Sequence, residues 1–324
     1  TPMAAVETSY YSAFAKRVLE SARQKTARLR DCCETETNVG EDAFFEDIGD
    51  LVAGEKAALY EDVRYSQPDH TRRKVIPTKF FVASLVDKEA KARSMVDLQS
   101  TYAQRTSEAL GRKWDEIVIR AAVGPAQTGK TGALTVHTSA GSVVPKTVKE
   151  SSASAGNYGL NVAKLRAAKE ILDEAEVPDE DRWIYAPARQ MSSLLGLTET
   201  TSSDFNTVKA LVEGNIQRFM GFRFVRGERT REALQGVPIT NAAGAQALAS
   251  TVIGTPASPT DDLVIFGHKS GVKMAVIEDI MTSIDVIPDK HRAHQVYTCM
   301  DLGASRVLES HIGSIICDAT GVPA

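Results

Sequence analysis

Apolar residues at Tyr11, Phe14, Val18, Ala22 and Leu29 recur at helical spacing, with Lys16, Arg17, Arg23, Lys25, Arg28 and Arg30 around the other faces. Residues 11–29 therefore predict an amphipathic helix with a basic side. The same period returns over 97–122, where Leu98, Tyr102, Ala109, Leu110, Trp114, Ile117, Val118 and Ala121 form one stripe behind Asp97, a residue suited to cap the first turn. Such a helix would be about 39 Å long at 1.5 Å per residue. Gly111 interrupts it at a cost of about 1 kcal/mol relative to alanine, and Gly124-Pro125 ends it. Shorter helices are predicted over 162–175 and from a Ser203-Asp204 cap through 208–212.

Strand character is found in Val75, Ile76, Phe80, Phe81 and Val82, in short pieces at 134–137 and 143–144, in the aromatic run 182–186 ended by Pro187, and at 222–225. The carboxyl end reads as mainly β: strands at 263–266, 272–277, 281–287, 295–302 and 312–317, with 303–309 turning between the last two. The Gly-, Ala-, Thr- and Pro-rich tract 236–260 has few large residues and predicts an exposed tip.

Charge sharpens the picture more than composition does. The 324 residues are 43% hydrophobic and 25% charged with a formal net charge of -4, ordinary values that exclude disorder throughout. No run approaches the roughly 18 apolar residues of a membrane span. The acidic total argues against tight bulk binding to nucleic acid. Residues 34–66 hold ten acids (Glu34, Glu36, Glu41, Asp42, Glu46, Asp47, Asp50, Glu55, Glu61, Asp62) against Lys56 and Arg64, so this stretch cannot form a core alone. The next stretch reverses sign with Arg72, Arg73, Lys74, Lys79, Lys88, Lys91 and Arg93. Together they predict a long hairpin-like excursion. Exposed ion pairs between its limbs contribute only about 0–1 kcal/mol each, so a partner surface is the expected stabiliser.

Catalytic constellations are scarce. Gly124-Pro125-Ala126-Gln127-Thr128-Gly129-Lys130-Thr131 satisfies the pattern of a phosphate-binding loop. That loop needs a strand entering and a helix leaving, and here a helix enters and a β-prone segment leaves. Asp289, His291 and His294 are too few for a zinc site, and a polar turn explains them. Gly267-His268-Lys269-Ser270-Gly271 only distorts the serine-hydrolase elbow, and Asp179-Glu180-Asp181 reads as a solvated loop. Cys32, Cys33, Cys299 and Cys317 lack the spacing of a metal or disulfide framework and read as reduced thiols.

Several segments taken together carry a family likeness. They are Lys25-Thr26-Ala27-Arg28-Leu29-Arg30, Asp69-His70-Thr71-Arg72-Arg73 before residues 80–87, Ala188-Arg189-Gln190-Met191-Ser192-Ser193-Leu194-Leu195 before Asp204-Phe205-Asn206, Val208-Lys209-Ala210-Leu211-Val212, Phe219-Met220-Gly221-Phe222, and Met300-Asp301-Leu302-Gly303-Ala304-Ser305-Arg306-Val307-Leu308-Glu309. In this order and spacing the chain resembles the major capsid proteins of tailed bacteriophages with the Hong Kong 97-type fold.

The resemblance implies an α+β fold with an N-terminal arm (1–33), an extended E-loop hairpin (34–87), a P-domain (88–160 and 285–324) built on a long spine helix and a β-sheet, and an A-domain (161–284). It implies a non-enzymatic subunit, without cofactor or metal, that self-assembles as hexamers and pentamers into an icosahedral head shell around double-stranded DNA. Its partners would be copies of itself, a portal protein, a scaffold protein, a decoration or cement protein where one is used, and packaged DNA by weak non-specific contact. Assembly would take place in the host bacterial cytoplasm, without a membrane, and the product would be part of the virion.

Within that frame Arg72, Arg73, Lys74, Glu61 and Asp62 are the candidates for intersubunit contact, because guanidinium forks bind carboxylates bidentately. Pairing of the arginines to Glu61 or Asp62 inside one hairpin is the equally weighted alternative. Lys16, Arg17, Arg23 and Lys25 are candidates to face DNA or scaffold. No lysine, asparagine and acid match the self-crosslinking set of some relatives, so no crosslink is expected. An encapsulin-type nanocompartment, which shares the fold but carries protein cargo, and a P-loop NTPase resting on Lys130 and Thr131 are the competing readings.

Overall fold

A computed structural model describes residues 27–37, 40–49, 51, 53–55, 62–63, 65–87, 98–137, 142–149, 156–196, 218–240, 246–252 and 261–319. In chain order these form β1 (Glu34–Thr37), β2 (Ala43–Ile48), β3 (His70–Val75), β4 (Thr78–Val86), α1 (Leu98–Val123), β5 (Ala126–Thr128), β6 (Ala133–Thr135) and β7 (Val143–Val144). Then come α2 (Val162–Glu174), β8 (Arg182–Ala186), α3 (Ala188–Leu195), β9 (Arg218–Phe219), β10 (Phe222–Arg226), α4 (Thr230–Ala233), β11 (Pro238–Thr240), β12 (Gln246–Leu248) and α5 (Ala249–Val252). The carboxyl end supplies β13 (Asp261–His268), β14 (Val272–Ile287), β15 (Ala293–Arg306) and β16 (Ile312–Asp318).

Two sheets dominate. One runs β1-β14-β15-β4 and the other β7-β16-β13-β8-β10-β9, while β2-β3-β5-β6 form a third and β11-β12 a ribbon. The stripe read from the sequence buries α1 against both large sheets: Leu110, Trp114, Val118, Ile119 and Ala122 share one core with Trp183, Tyr185, Ile265, Met274, Met300 and Ile312. On the opposite face of the second sheet α2 packs Leu165, Ala168 and Leu172 against Ile184, Val264, Phe266 and Ile315. Asn161 starts α2 by accepting from the Lys164 amide at 2.8 Å.

Several expectations are corrected. The strands expected at 272–277 and 281–287 are one strand, β14, bent by irregular pairing between Val276 and Met281. Gly303 does not begin a turn; β15 continues to Arg306, pairing Gly303 with Ala275. Gly303 is required there because a Cβ would stand 2.7 Å from Val75 Cγ1, where the β3–β4 connection crosses the sheet. The acid-rich stretch contains strand β2, because the alternation in Ala43-Phe44-Phe45 gives one buried face, Ala43 and Phe45, against Ala275 and Val307. The tract expected to be an exposed tip holds β11, β12 and α5, and its Ile239 and Ala249 join the core beside α1. Leu248 of the same tract stays half exposed. The helices expected over 11–29 and 203–212 lie outside the described residues, apart from residues 27–29.

Candidate functional site

The hairpin predicted from the reversal of charge is formed by β2 and β3, in register from Ala43 opposite Val75 to Ile48 opposite His70. Its basic limb finds partners within the chain. Arg72 pairs with Glu46 directly across the ladder, and Lys74 Nζ lies 2.8 Å from Asp42. Both pairs are solvent-reached, and each contributes at most about 1 kcal/mol. Arg73 differs: it is 7% exposed, donates to Thr128 Oγ1 at 2.6 Å and reaches Glu309 Oε1 at 2.9 Å. Asp62 is exposed, whereas Glu61, Lys16, Arg17, Arg23 and Lys25 lie outside the described residues.

Glu309 also accepts from Arg306 at 3.2 Å. Arg306 is fully buried, and its Nη1 donates to the carbonyls of Ala122 and Gly124 at 2.9 Å each. These are acceptors at the carboxyl end of α1, where a cation complements the helix dipole. Sequence reasoning did not find this centre: its members come from positions 73, 122, 124, 306 and 309, and no local spacing joins them. Burial pushes the Arg306 guanidinium down from its ordinary value while Glu309 draws it back up.

Beside these pairs, large apolar side chains stand open on the hairpin. Phe44, Ile48, Leu51 and Val63 are exposed, and Tyr65 is 91% exposed. A second open apolar surface lies on the β4–β15 ladder, where Phe81 stacks on Tyr297 with ring centroids 6.0 Å apart and Leu85 stands exposed nearby. Scattered surface apolar residues are ordinary, but contiguous ones mark contact surfaces.

The root of the N-terminal segment is fixed at the middle of α1. Asp115, with no exposure, accepts from the amides of Arg28 at 2.9 Å and Leu29 at 3.0 Å. Cys32 and Cys33 are buried beneath it as free thiols, pushed up to about 12 by desolvation.

The sequence match to a phosphate-binding loop is a β-hairpin, β5–β6, entered from α1 and turned at Gly129 (φ 73°) and Gly132 (φ 75°). Gly129 N donates to Arg72 O at 2.8 Å, so the motif pads β3, and Lys130 points to solvent. Amides arranged in this way do not converge on a phosphate. Asp289, His291 and His294 belong to the β14–β15 turn and its exit, with His291 in the left-handed region. No group of three metal-ligating side chains occurs among the described residues. In the 179–181 cluster, Asp179 pairs at 3.2 Å with the buried Arg182, which also holds Asp173 at 2.6 Å.

A family model described as phage capsid protein matches residues 6–319. No curated protein matches the chain by sequence. Among solved structures, the capsid of the cyanophage P-SCSP1u is 17% identical with a TM-score of 0.65, covering 95% of this chain and 92% of that one. The capsid asymmetric unit of cyanophage Pam1 reaches a TM-score of 0.67 at 11% identity, covering 96% of each chain. The capsid of Ralstonia phage GP4 gives 0.64 at 12% identity, covering 95% of each. At such identities these likenesses concern the fold.

Proposed function

This chain belongs to the phage capsid protein family and is a major capsid protein of the head shell, and we propose that its β2–β3 hairpin is the contact one subunit lays over the next. The observation that carries this reading is the division of labour on the hairpin. Arg72, Arg73 and Lys74 are paired inside the chain, while Ile48, Leu51, Val63 and Tyr65 are left open. Full burial of such a side chain contributes about 1.5–3 kcal/mol. Modest contacts of this size, repeated by symmetry, suffice for a closed shell.

The same reading gives Arg72 and Lys74, with Asp62 and Glu61, the secondary role of exchanging partners with a neighbouring subunit. Arg73, held by Glu309, is the anchor of the hairpin. The chain would divide into an arm (1–33), an E-loop (34–87), a P-domain (88–160, 285–324) and an A-domain (161–284), forming hexamers and pentamers around double-stranded DNA. Lys16, Arg17, Arg23 and Lys25 would face DNA or a scaffold protein, and a portal protein would replace one vertex. Assembly would take place in the bacterial cytoplasm before the shell becomes part of the virion. Membership of a capsid family supports a structural rather than a catalytic role.

Light scattering together with electron microscopy of freshly purified protein tests the reading. Hollow megadalton shells are the expected result. A 35.0 kDa monomer that never assembles, even with crowding agent or scaffold, would remove it.

A further inference from the structure

Two histidines and a serine outside the hairpin form a directed hydrogen-bond chain. Ser270 Oγ lies 2.7 Å from His268 Nδ1 and 2.7 Å from His311 Nδ1, with the rings edge to face at 5.8 Å. The Ser270 amide, which can only donate, also approaches His268 Nδ1 at 3.2 Å. That nitrogen is therefore an acceptor, and the other His268 nitrogen carries the proton and donates to the Glu180 carbonyl. The hydroxyl proton of Ser270 then points to His268, and His311 donates its Nδ1 proton to Ser270. The direction is fixed at every step.

This chain sits where two turns are stitched together. His268 caps the 3-10 turn Lys269–Gly271 between β13 and β14. His268 N donates to His311 O at 2.9 Å, and Val307 N to Gly271 O at 3.0 Å, tying that turn to the one between β15 and β16. We propose that this corner is an acid-operated latch, in which protonation of His268 uncaps the β13–β14 turn and loosens its attachment to the β15–β16 turn.

The vacant proton site on neutral His268 is Nδ1, the atom that caps. Once it is protonated the Ser270 oxygen can accept from it, its hydroxyl proton turning away from both rings because His311 Nδ1 already carries one, but the Ser270 amide cannot reverse and loses its acceptor. A second proton, on His311, leaves two cations facing each other across one oxygen. The charged groups around them do not compensate evenly. His268 meets Asp181 and Glu34, which favour its cation, and Arg182, which opposes it; Lys269 adjoins it in sequence. His311 meets His268, which opposes its cation, and Asp47 of β2, which favours it. Burial holds both imidazoles below their ordinary value. The acid form of the corner thus gives up the cap, and what it gains is the attraction of His268 to Asp181 and Glu34 and of His311 to Asp47 of the hairpin.

Hydrogen exchange of the full chain, referred at each pH to the unstructured rate, reads the Ser270 amide directly. Protection there should fall about tenfold between pH 7.5 and 5, the loss of roughly one hydrogen bond, while α1 keeps its protection. His268→Gln supplies an acceptor that does not titrate and should abolish the fall. Ser270→Ala removes a bond that favours neutral His268 and should move the fall to higher pH. His311→Gln should retain it, because His268 still titrates. A flat wild-type profile, an unchanged fall in His268→Gln, or a fall abolished only in His311→Gln would overturn the latch.

Discussion

Glu309 accepts a hydrogen bond from Arg73 at 2.9 Å across 236 positions of sequence, and the same oxygen accepts from the fully buried Arg306. One carboxylate therefore ties the base of the hairpin to the carboxyl end of α1. Glu309→Ala would leave two guanidiniums, one of them wholly desolvated, without their counter-charge. Removing one partner of a buried pair costs about 3–5 kcal/mol, and the partial exposure of Glu309 places the expected loss at the lower end. Chemical denaturation of the unassembled protein measures it, and a loss below about 1 kcal/mol would show that Arg306 is satisfied by the helix carbonyls alone.

Asp115 holds the root of the N-terminal segment through two amides, so Asp115→Ala should detach residues 27–33 from α1. About 1–3 kcal/mol of stability should go with the unsatisfied buried amides. Limited proteolysis should cut near Arg28 or Arg30 faster than in the wild type, with the rest of the chain resistant. Unchanged cutting would remove the anchoring role.

His137 is buried beside Arg306, and desolvation first, then that guanidinium, push it down to about 4. A histidine held neutral in the fold stabilises above its unfolded value of about 6.5, and that contribution is lost as pH falls toward 4. Melting temperature should therefore drop on the acid side of pH 6.5, and His137→Gln should flatten that part of the profile. A parallel acid drop in both proteins would place its origin elsewhere.

Cys32, Cys33 and Cys317 are buried and pushed up to about 12 by desolvation. Thiols in this state are poor nucleophiles. Mass spectrometry after iodoacetamide treatment at pH 8 should find these three unmodified in the native protein and fully alkylated after unfolding.

Ile48→Asp and Tyr65→Asp place charge on the open face of the hairpin, where Ile48 is 60% and Tyr65 91% exposed, so little packing within their own chain would be lost. Shell yield should fall at least tenfold while the melting temperature of the unassembled subunit stays within about 2 °C. Intact shells in both variants would move the main contact away from the hairpin. Lys130→Ala, by contrast, should alter neither shells nor nucleotide binding, since its loop is a hairpin turn.

Elements with a single local period were legible in the sequence. The helix predicted over 97–122 spans Leu98–Val123, because one apolar stripe suffices to define it, and β8, β10 and β16 follow their apolar runs to within about two residues. Strand β2 was hidden because charge in the segment masked an alternation only three residues long. The continuation of β15 through Gly303 was hidden because glycine normally signals a turn, and only the crossing backbone at Ile76 and Pro77 explains it.

By itself the sequence determined the long helix, the β-rich end, the reversal of charge along the hairpin and a likeness to phage capsid subunits spread over nearly the whole chain. These follow from periodicity and order, which are properties of neighbouring residues. Only the tertiary structure decided that Arg73 is buried while Arg72 is not, that Glu309 joins the hairpin to the helix, and that Ser270 stands between two histidines. Each depends on groups distant in the chain being desolvated together, and burial, which sets the strength of a charge or hydrogen bond, is fixed only once the sheets have packed.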